Sequence, residues 1–243
     1  MTPSVSAAAL LAAVIAALAN VIGAALVTGR RVWTAADLDM LIAFSAGFMI
    51  SVALVDMIPE AIRAHGTIAA WLVLVGYLAV HLTQHTLVPH FHFGEETHHV
   101  TRAVGISALI GLLLHMLVDG VAIASGFAAG STVGTLVVAA IVLHKLPEGS
   151  AVSSLFLAAG FERNRALGAA ALLGLATVVG AVFTELFGPL KQYGLALSGG
   201  VTLYVAASNL VPEFQHKTGW RLPAAFFGGC LGYAAGHTAL SSM

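Results

Sequence analysis

Long apolar runs alternate with short polar breaks along the whole chain. The runs fall at about 4–28, 40–62, 68–88, 103–128, 133–160, 166–187, 191–214 and 222–240. Each is close to the roughly 20 apolar residues that carry an α-helix across a bilayer. None alternates apolar and polar positions with period two, so barrel strands are excluded. The pattern predicts an all-α integral membrane protein of eight transmembrane helices, a single domain over 1–243. The first run holds no charge before Arg30 and lacks a basic start, so it reads as a retained span rather than a cleaved signal peptide.

Composition agrees. Of 243 residues, 59% are hydrophobic and 9% charged, against about 25% charged in soluble domains. A net charge of −1 with 10 Lys+Arg argues against nucleic-acid binding. The single cysteine, Cys230, excludes a disulfide framework and a cysteine-based zinc site. Basic residues are unevenly placed. With the N-terminus outside, Arg30, Arg31, Arg102, Arg163, Arg165, Lys217 and Arg221 fall in cytoplasmic turns, and Arg63 and Lys191 in outer ones. That bias orients both termini away from the cytoplasm.

Residues 41–60 (LIAFSAGFMISVALVDMIPE) align without gaps on residues 194–213 (GLALSGGVTLYVAASNLVPE). Matches include Ser45/Ser198, Gly47/Gly200, Pro59/Pro212 and Glu60/Glu213. The second and seventh helices cross in opposite senses, so the repeat is inverted, as in many secondary transporters. Helices one to three and six to eight would then be related around helices four and five.

Charge at the centre of a spanning helix costs about 2.5–3.5 kcal/mol on insertion scales, so the polar residues inside the runs are candidates for function. Helix four carries His115 and Asp119, and helix five carries His144, Lys145 and Glu148. His115 lies about 13 residues beyond Arg102, and His144 about 13 beyond Ser131, which places both roughly 20 Å along their helices, near the midplane. His115/Asp119 and His144/Glu148 are i,i+4 pairs, each on one helix face. Facing each other, they offer two imidazoles and two carboxylates, a suitable shell for a divalent transition metal. Pro147 frees a backbone carbonyl nearby, and Gly120 and Gly149 permit close helix approach. The tract PHFHFGEETHH in the loop 89–101 holds His90, His92, His98 and His99 with Glu95 and Glu96, able to bind zinc weakly and exchange it quickly. His81 and His85 could extend this into an exit route. Asp56 and Glu60 approach the outer mouth, while Asn209, Glu213 and His216 approach the inner one, as path-lining residues.

HMLVDG followed by HKLPEG resembles the paired signatures of the Zrt/Irt-like (ZIP) metal transporters, which read HNxxDG or HNxPEG and then HxxPEG or HExPHE. The resemblance extends to eight spans, outward termini, a His-rich cytoplasmic loop and related second and seventh helices. It implies that His115, Asp119, His144 and Glu148 are metal ligands and that Met49 lines the metal path. Two positions depart from the family pattern: Met116 follows the first histidine and Lys145 the second, where members with a two-metal site have Asn and an acidic residue. The expectation is a mononuclear site in which the Lys145 ammonium stands where the second ion would be, bridging the ligand carboxylates and Glu185.

The function expected is transport of a divalent ion into the cytoplasm, Zn²⁺ foremost, with Cd²⁺, Fe²⁺, Mn²⁺ and Co²⁺ as alternatives. Helices one to three and six to eight would move against the ligand-bearing pair, or the reverse. Expected partners are the metal ions and the lipid bilayer, with a homodimer left open, and the expected location is a bacterial inner membrane. The competing class is an intramembrane metal hydrolase using Glu148 or Asp119 as base. HExxH is absent, because neither His115 nor His144 is followed by a histidine four residues on.

Overall fold

The computed structural model describes residues 6–29, 35–83 and 102–242, and every regular element among them is helical. In chain order these are α1 (Ala7–Thr28), α2 (Ala35–Ser51), α3 (Ile58–Leu82), α4 (Arg102–Ala129), α5 (Ser131–Ala158), α6 (Arg163–Leu186), α7 (Gly188–Tyr204), α8 (Pro212–Gln215) and α9 (Arg221–Ser241). Two π-helical segments, Val52–Met57 and Val205–Leu210, carry α2 into α3 and α7 toward α8.

Six stretches are long and apolar enough to cross a membrane: Ala7–Thr28, Asp39–Leu82, Ala108–Ala129, Ser131–Ala158, Arg163–Leu186 and Gly188–Gln215. The second is 44 residues long, about 66 Å if straight and so about two hydrocarbon cores. It is broken at Gly66, where φ is 57° and ψ −138°, a backbone that only glycine adopts without steric cost. The turn expected between the second and third runs is thus reduced to one residue. The eighth expected run corresponds to α9, whose glycines and polar residues leave it outside the six.

The bundle is inside-out relative to a soluble protein. On α1, Ala9, Ala12, Ala13 and Ala16 are buried, while Leu11, Ile15, Leu18 and Ile22 are exposed. Lipid tails are as apolar as leucine, so helices associate through close packing of small residues.

That packing follows one rule at four interfaces. Gly23 of α1 faces the Leu146 carbonyl of α5, and Gly149 of α5 faces the Asn20 carbonyl of α1. Gly120 of α4 and Gly180 of α6 face the carbonyls of Thr177 and Leu117. Gly47 of α2 and Gly229 of α9 face those of Phe226 and Phe44, and Gly76 of α3 and Gly200 of α7 face those of Leu197 and Val73. In each case the carbonyl belongs to the residue three positions before the partner glycine. The helices therefore cross reciprocally, backbone to backbone, in the geometry of Cα–H···O=C contacts. These clamps tie α1 to α5, α4 to α6, α2 to α9 and α3 to α7. Packing of α1 on α6 and α4 on α5 gathers the first two pairs into one group, and the continuous chain from α2 into α3 joins the other two. Between the groups, Gly194 of α7 meets the side chains of Val121 and Ser125 of α4. The helices that carry the two His/carboxylate pairs are thus packed backbone to backbone on α1 and α6.

A β-carbon at any clamp glycine would come closer than 3.0 Å to a backbone carbonyl, which cannot swing aside. Gly180→Ala and Gly47→Ala should each lower stability by about 1–3 kcal/mol, the usual cost of overpacking. Gly168→Ala, with nothing within 4 Å of its added carbon, should be neutral or stabilising. Thermal unfolding of the purified variants in one detergent checks the ranking, and equal melting temperatures for Gly168→Ala and Gly180→Ala would contradict it.

Candidate metal centre

Helical spacing sets the site. His115 and Asp119 lie one turn apart on α4, and His144 and Glu148 one turn apart on α5, so each pair presents its donors from one face. Both carboxylates are followed by a clamp glycine, Gly120 after Asp119 and Gly149 after Glu148. Successive residues point about 100° apart on a helix. The carboxylate therefore points to the centre while the next residue, the glycine, seats the same turn of backbone against α6 or α1.

One donor atom from each of His115, Asp119, His144 and Glu148 lies within 4.8 Å of all the others. His144 Nε2 is 3.4 Å from Asp119 Oδ2 and 3.9 Å from Glu148 Oε2. His115 Nε2 is 3.5 Å from Asp119 Oδ2 and 3.7 Å from Glu148 Oε1. Ligands on a tetrahedral zinc with bonds of about 2.0–2.2 Å stand roughly 3.3–3.6 Å apart, so small inward movements would close the four donors around an ion. Asp119, His144 and Glu148 are buried.

The imidazoles are prepared differently. His144 Nδ1 lies 3.0 Å from the Ala140 carbonyl. A carbonyl only accepts, so Nδ1 carries the proton and Nε2 presents its lone pair to the centre, the usual outer support of a metal-bound histidine. Neither ring nitrogen of His115 has a hydrogen-bond partner among the described residues, although both are buried. Buried polar atoms are rarely left so, and an ion between the carboxylates would satisfy Nε2. Pro147 lies inside α5 one residue before Glu148 and cannot donate to the carbonyl four residues back, leaving that acceptor near the site.

Lys145 is fully buried. Its ammonium contacts the Asp119 carboxylate and the Met116 sulfur and lies 3.4 Å from Glu148 Oε2. Met116 is itself buried, with Asn20 Nδ2 at 3.9 Å and Thr177 Oγ1 at 3.8 Å from its sulfur. The two positions that depart from the family pattern thus touch each other beside the ligands. The expected bridge to Glu185 is not formed. Glu185 is buried at the end of α6 and is held by Lys191, 2.7 Å away across the turn into α7.

The other candidate residues have partners or surroundings of their own. Met49 is packed in the apolar core near Phe48 and Val52. Asp56, in the first π-helical segment, accepts a hydrogen bond from Tyr233 at 2.9 Å. Glu60 pairs with Arg63. Asn209 is half-buried in the second π-helical segment and Glu213 half-buried on α8. His216 lies 3.1 Å from Gln215 Nε2, and His81 Nδ1 lies 3.4 Å from the Tyr204 hydroxyl. His85, His90, His92, His98 and His99, with Glu95 and Glu96, fall outside the described residues. The sequence reading missed the partners of Asp56, Tyr233 and His237. A histidine inside the last apolar run was the available signal.

A model of the ZIP zinc transporter family matches residues 80–235, a stretch that includes both ligand-bearing helices. A curated relative, zinc transporter GufA of Myxococcus xanthus, is 36% identical over 148 residues, covering 58% of this chain. This chain spans 58% of the length of that relative. With the family model covering more than half of it, and its membrane-length helices already described, the chain is an integral membrane protein that belongs to the ZIP family.

Proposed function

We propose that this protein carries divalent transition-metal ions, Zn²⁺ foremost, through the bilayer by way of His115, Asp119, His144 and Glu148. The observation that carries this reading is the convergence of four buried donors, one of them a histidine whose nitrogens lack hydrogen-bond partners among the described residues. The name of the Myxococcus relative agrees with the choice of zinc. The hydrolase alternative gains no support from the comparisons.

The transport reading includes eight crossings, with Gly66 dividing Asp39–Leu82 into two and α9 forming the last. It also includes the inverted repeat. The π-helical segments Val52–Met57 and Val205–Leu210 are separated by 153 positions, the same offset as the aligned sequences, and each is followed by Pro-Glu. The clamps obey the same two-fold relation, with Gly47 and Gly229 corresponding to Gly200 and Gly76. The two clamped groups are natural moving bodies: α1, α4, α5 and α6 would shift with the ion against α2, α3, α7 and α9. The bias of Lys and Arg orients both termini away from the cytoplasm, so the ion would move inward across a cell membrane of bacterial inner-membrane type and leave past the His-rich loop.

Within the site, Lys145 takes the role of a fixed second cation, which makes the centre mononuclear. A permanent positive charge beside the ion lowers its affinity. A transporter needs this, because an ion held too tightly does not leave.

His144→Ala or Glu148→Ala should reduce Zn²⁺ uptake into proteoliposomes to background with the protein still folded, since each removes a midplane donor that no neighbour replaces. Near-normal uptake by both variants would overturn the site. Replacing His90, His92, His98 and His99 by Ser should leave uptake measurable and change mainly apparent affinity, because a loop outside the bilayer cannot supply the midplane ligands. Complete loss with normal expression would contradict this. Lys145→Ala should tighten Zn²⁺ binding at least about tenfold, as expected for removing a charge a few ångströms from a dication, and should slow turnover. Anomalous scattering from metal-soaked crystals should locate one ion between α4 and α5 in the wild type and two in Lys145→Asp. Two ions there in the wild type would refute the mononuclear site.

A further inference from the structure

A second meeting of carboxylate and imidazole lies between α9 and the first π-helical segment. Asp56 is buried within Val52–Met57, and its Oδ2 accepts a hydrogen bond from the Tyr233 hydroxyl at 2.9 Å. Its other oxygen, Oδ1, lies 3.3 Å from His237 Nδ1. The same nitrogen is 3.4 Å from the Tyr233 hydroxyl oxygen, and the Tyr233 and His237 rings are 5.7 Å apart. Tyr233 is fixed edge-on by Phe48, so the carboxylate is held from behind. The His237 side chain is 36% exposed and opens the cluster on one side.

The position matters as much as the chemistry. Gly236, beside His237, faces Leu136 of α5. Leu136 precedes His144 by eight residues, about 12 Å along the helix. The cluster therefore sits on the α4–α5 turn side of the central donors, where the two clamped groups meet. The repeat offset of 153 places the neutral amide of Asn209 opposite Asp56. The tyrosines of that half engage hydroxyl and imidazole partners: Tyr77 lies 3.4 Å from Ser208 Oγ, and Tyr204 lies 3.4 Å from His81 Nδ1.

We infer that Asp56 and His237 form a weak, one-sided divalent-cation subsite that loads the central site from the α4–α5 turn side. This rests on the transport reading above. Two ligands on a tetrahedral zinc with bonds of about 2.0–2.1 Å stand roughly 3.3–3.4 Å apart, and the Asp56 Oδ1–His237 Nδ1 separation of 3.3 Å matches that edge. The exposed side of His237 leaves the remaining positions of the shell open to donors from outside the cluster. With two protein donors the site binds loosely and releases fast, as a loading step requires. The asymmetry between Asp56 and Asn209 gives the path a preferred face of entry.

The test uses the full chain in lipid nanodiscs, with His90, His92, His98 and His99 changed to Ser in every sample so that the loop adds no binding. Equilibrium binding of radiolabelled Zn²⁺ should resolve a tight class and a weak class. Asp56→Asn, which keeps an acceptor for Tyr233, and His237→Gln should each abolish the weak class and spare the tight one. In proteoliposomes the same variants should raise the apparent KM of Zn²⁺ uptake about tenfold with Vmax nearly unchanged, the sign of lost loading affinity. His144→Ala should abolish the tight class alone. A weak class that survives both Asp56→Asn and His237→Gln overturns the subsite, as does a change confined to melting temperature. Absence of uptake in every sample would instead defeat the transport reading, while the binding isotherms still decide the subsite.

Discussion

Everything near the centre of this molecule answers one constraint: buried carboxylates must be neutralised by groups the protein itself brings. Asp119 and Glu148 are buried, and an unpaired buried charge costs several kcal/mol. The chain meets the constraint with Lys145, which reaches both carboxylates from the neighbouring position on α5. It also places two imidazoles where they can share a cation with them. The backbone clamps serve the same end. Gly120 and Gly149 sit next to the two carboxylates and bring α6 and α1 to backbone contact on the same turns. A carboxylate whose own helix could drift by an ångström would lose the short donor separations that the proposed ion would need.

Much of the centre was legible in the sequence because helical periodicity leaves little freedom. A histidine and a carboxylate four residues apart share a face, and two such pairs at equal depth in consecutive antiparallel helices have few other arrangements. The partner of Lys145 was less legible. Spacing puts its Cβ about 100° from the metal face, but a four-carbon stem can curl back across that angle, and here it does. Glu185 went to Lys191 instead, six residues on across the turn from α6 to α7. A partner supplied by the next helix's first turn costs less chain ordering than one reached through the bundle.

The pairing of Asp56 with His237 shows what a sequence withholds until registers are known. Neither residue stands out by local spacing, since they are far apart in the chain. The clamp between α2 and α9 supplies the missing register. Gly47 and Gly229 bring the helices together side by side, and in the orientation read from the basic turns both run toward the same face. Nine residues beyond Gly47 is Asp56, and eight beyond Gly229 is His237. The rule of a glycine facing a carbonyl three residues before its partner glycine is written in the sequence, but only as one small-residue pattern among many. The structure selects which glycines meet.

The buried ammonium also bears on how a centre of this kind could cycle. Metal binding requires neutral imidazoles. With Lys145 charged, the four ligands and the lysine then carry a net charge of −1 when empty and +1 with a divalent ion bound. The solvation penalty of a charge in a low-dielectric medium grows with its square, so the two states are penalised alike. Without the ammonium the same ligands would pass from −2 to 0. The empty state would be the strained one, and the filled state a trap. A fixed cation in place of a second ion therefore levels the two ends of the proposed cycle. That levelling is a reason for a lysine, otherwise among the costliest residues to bury, to stand beside these carboxylates.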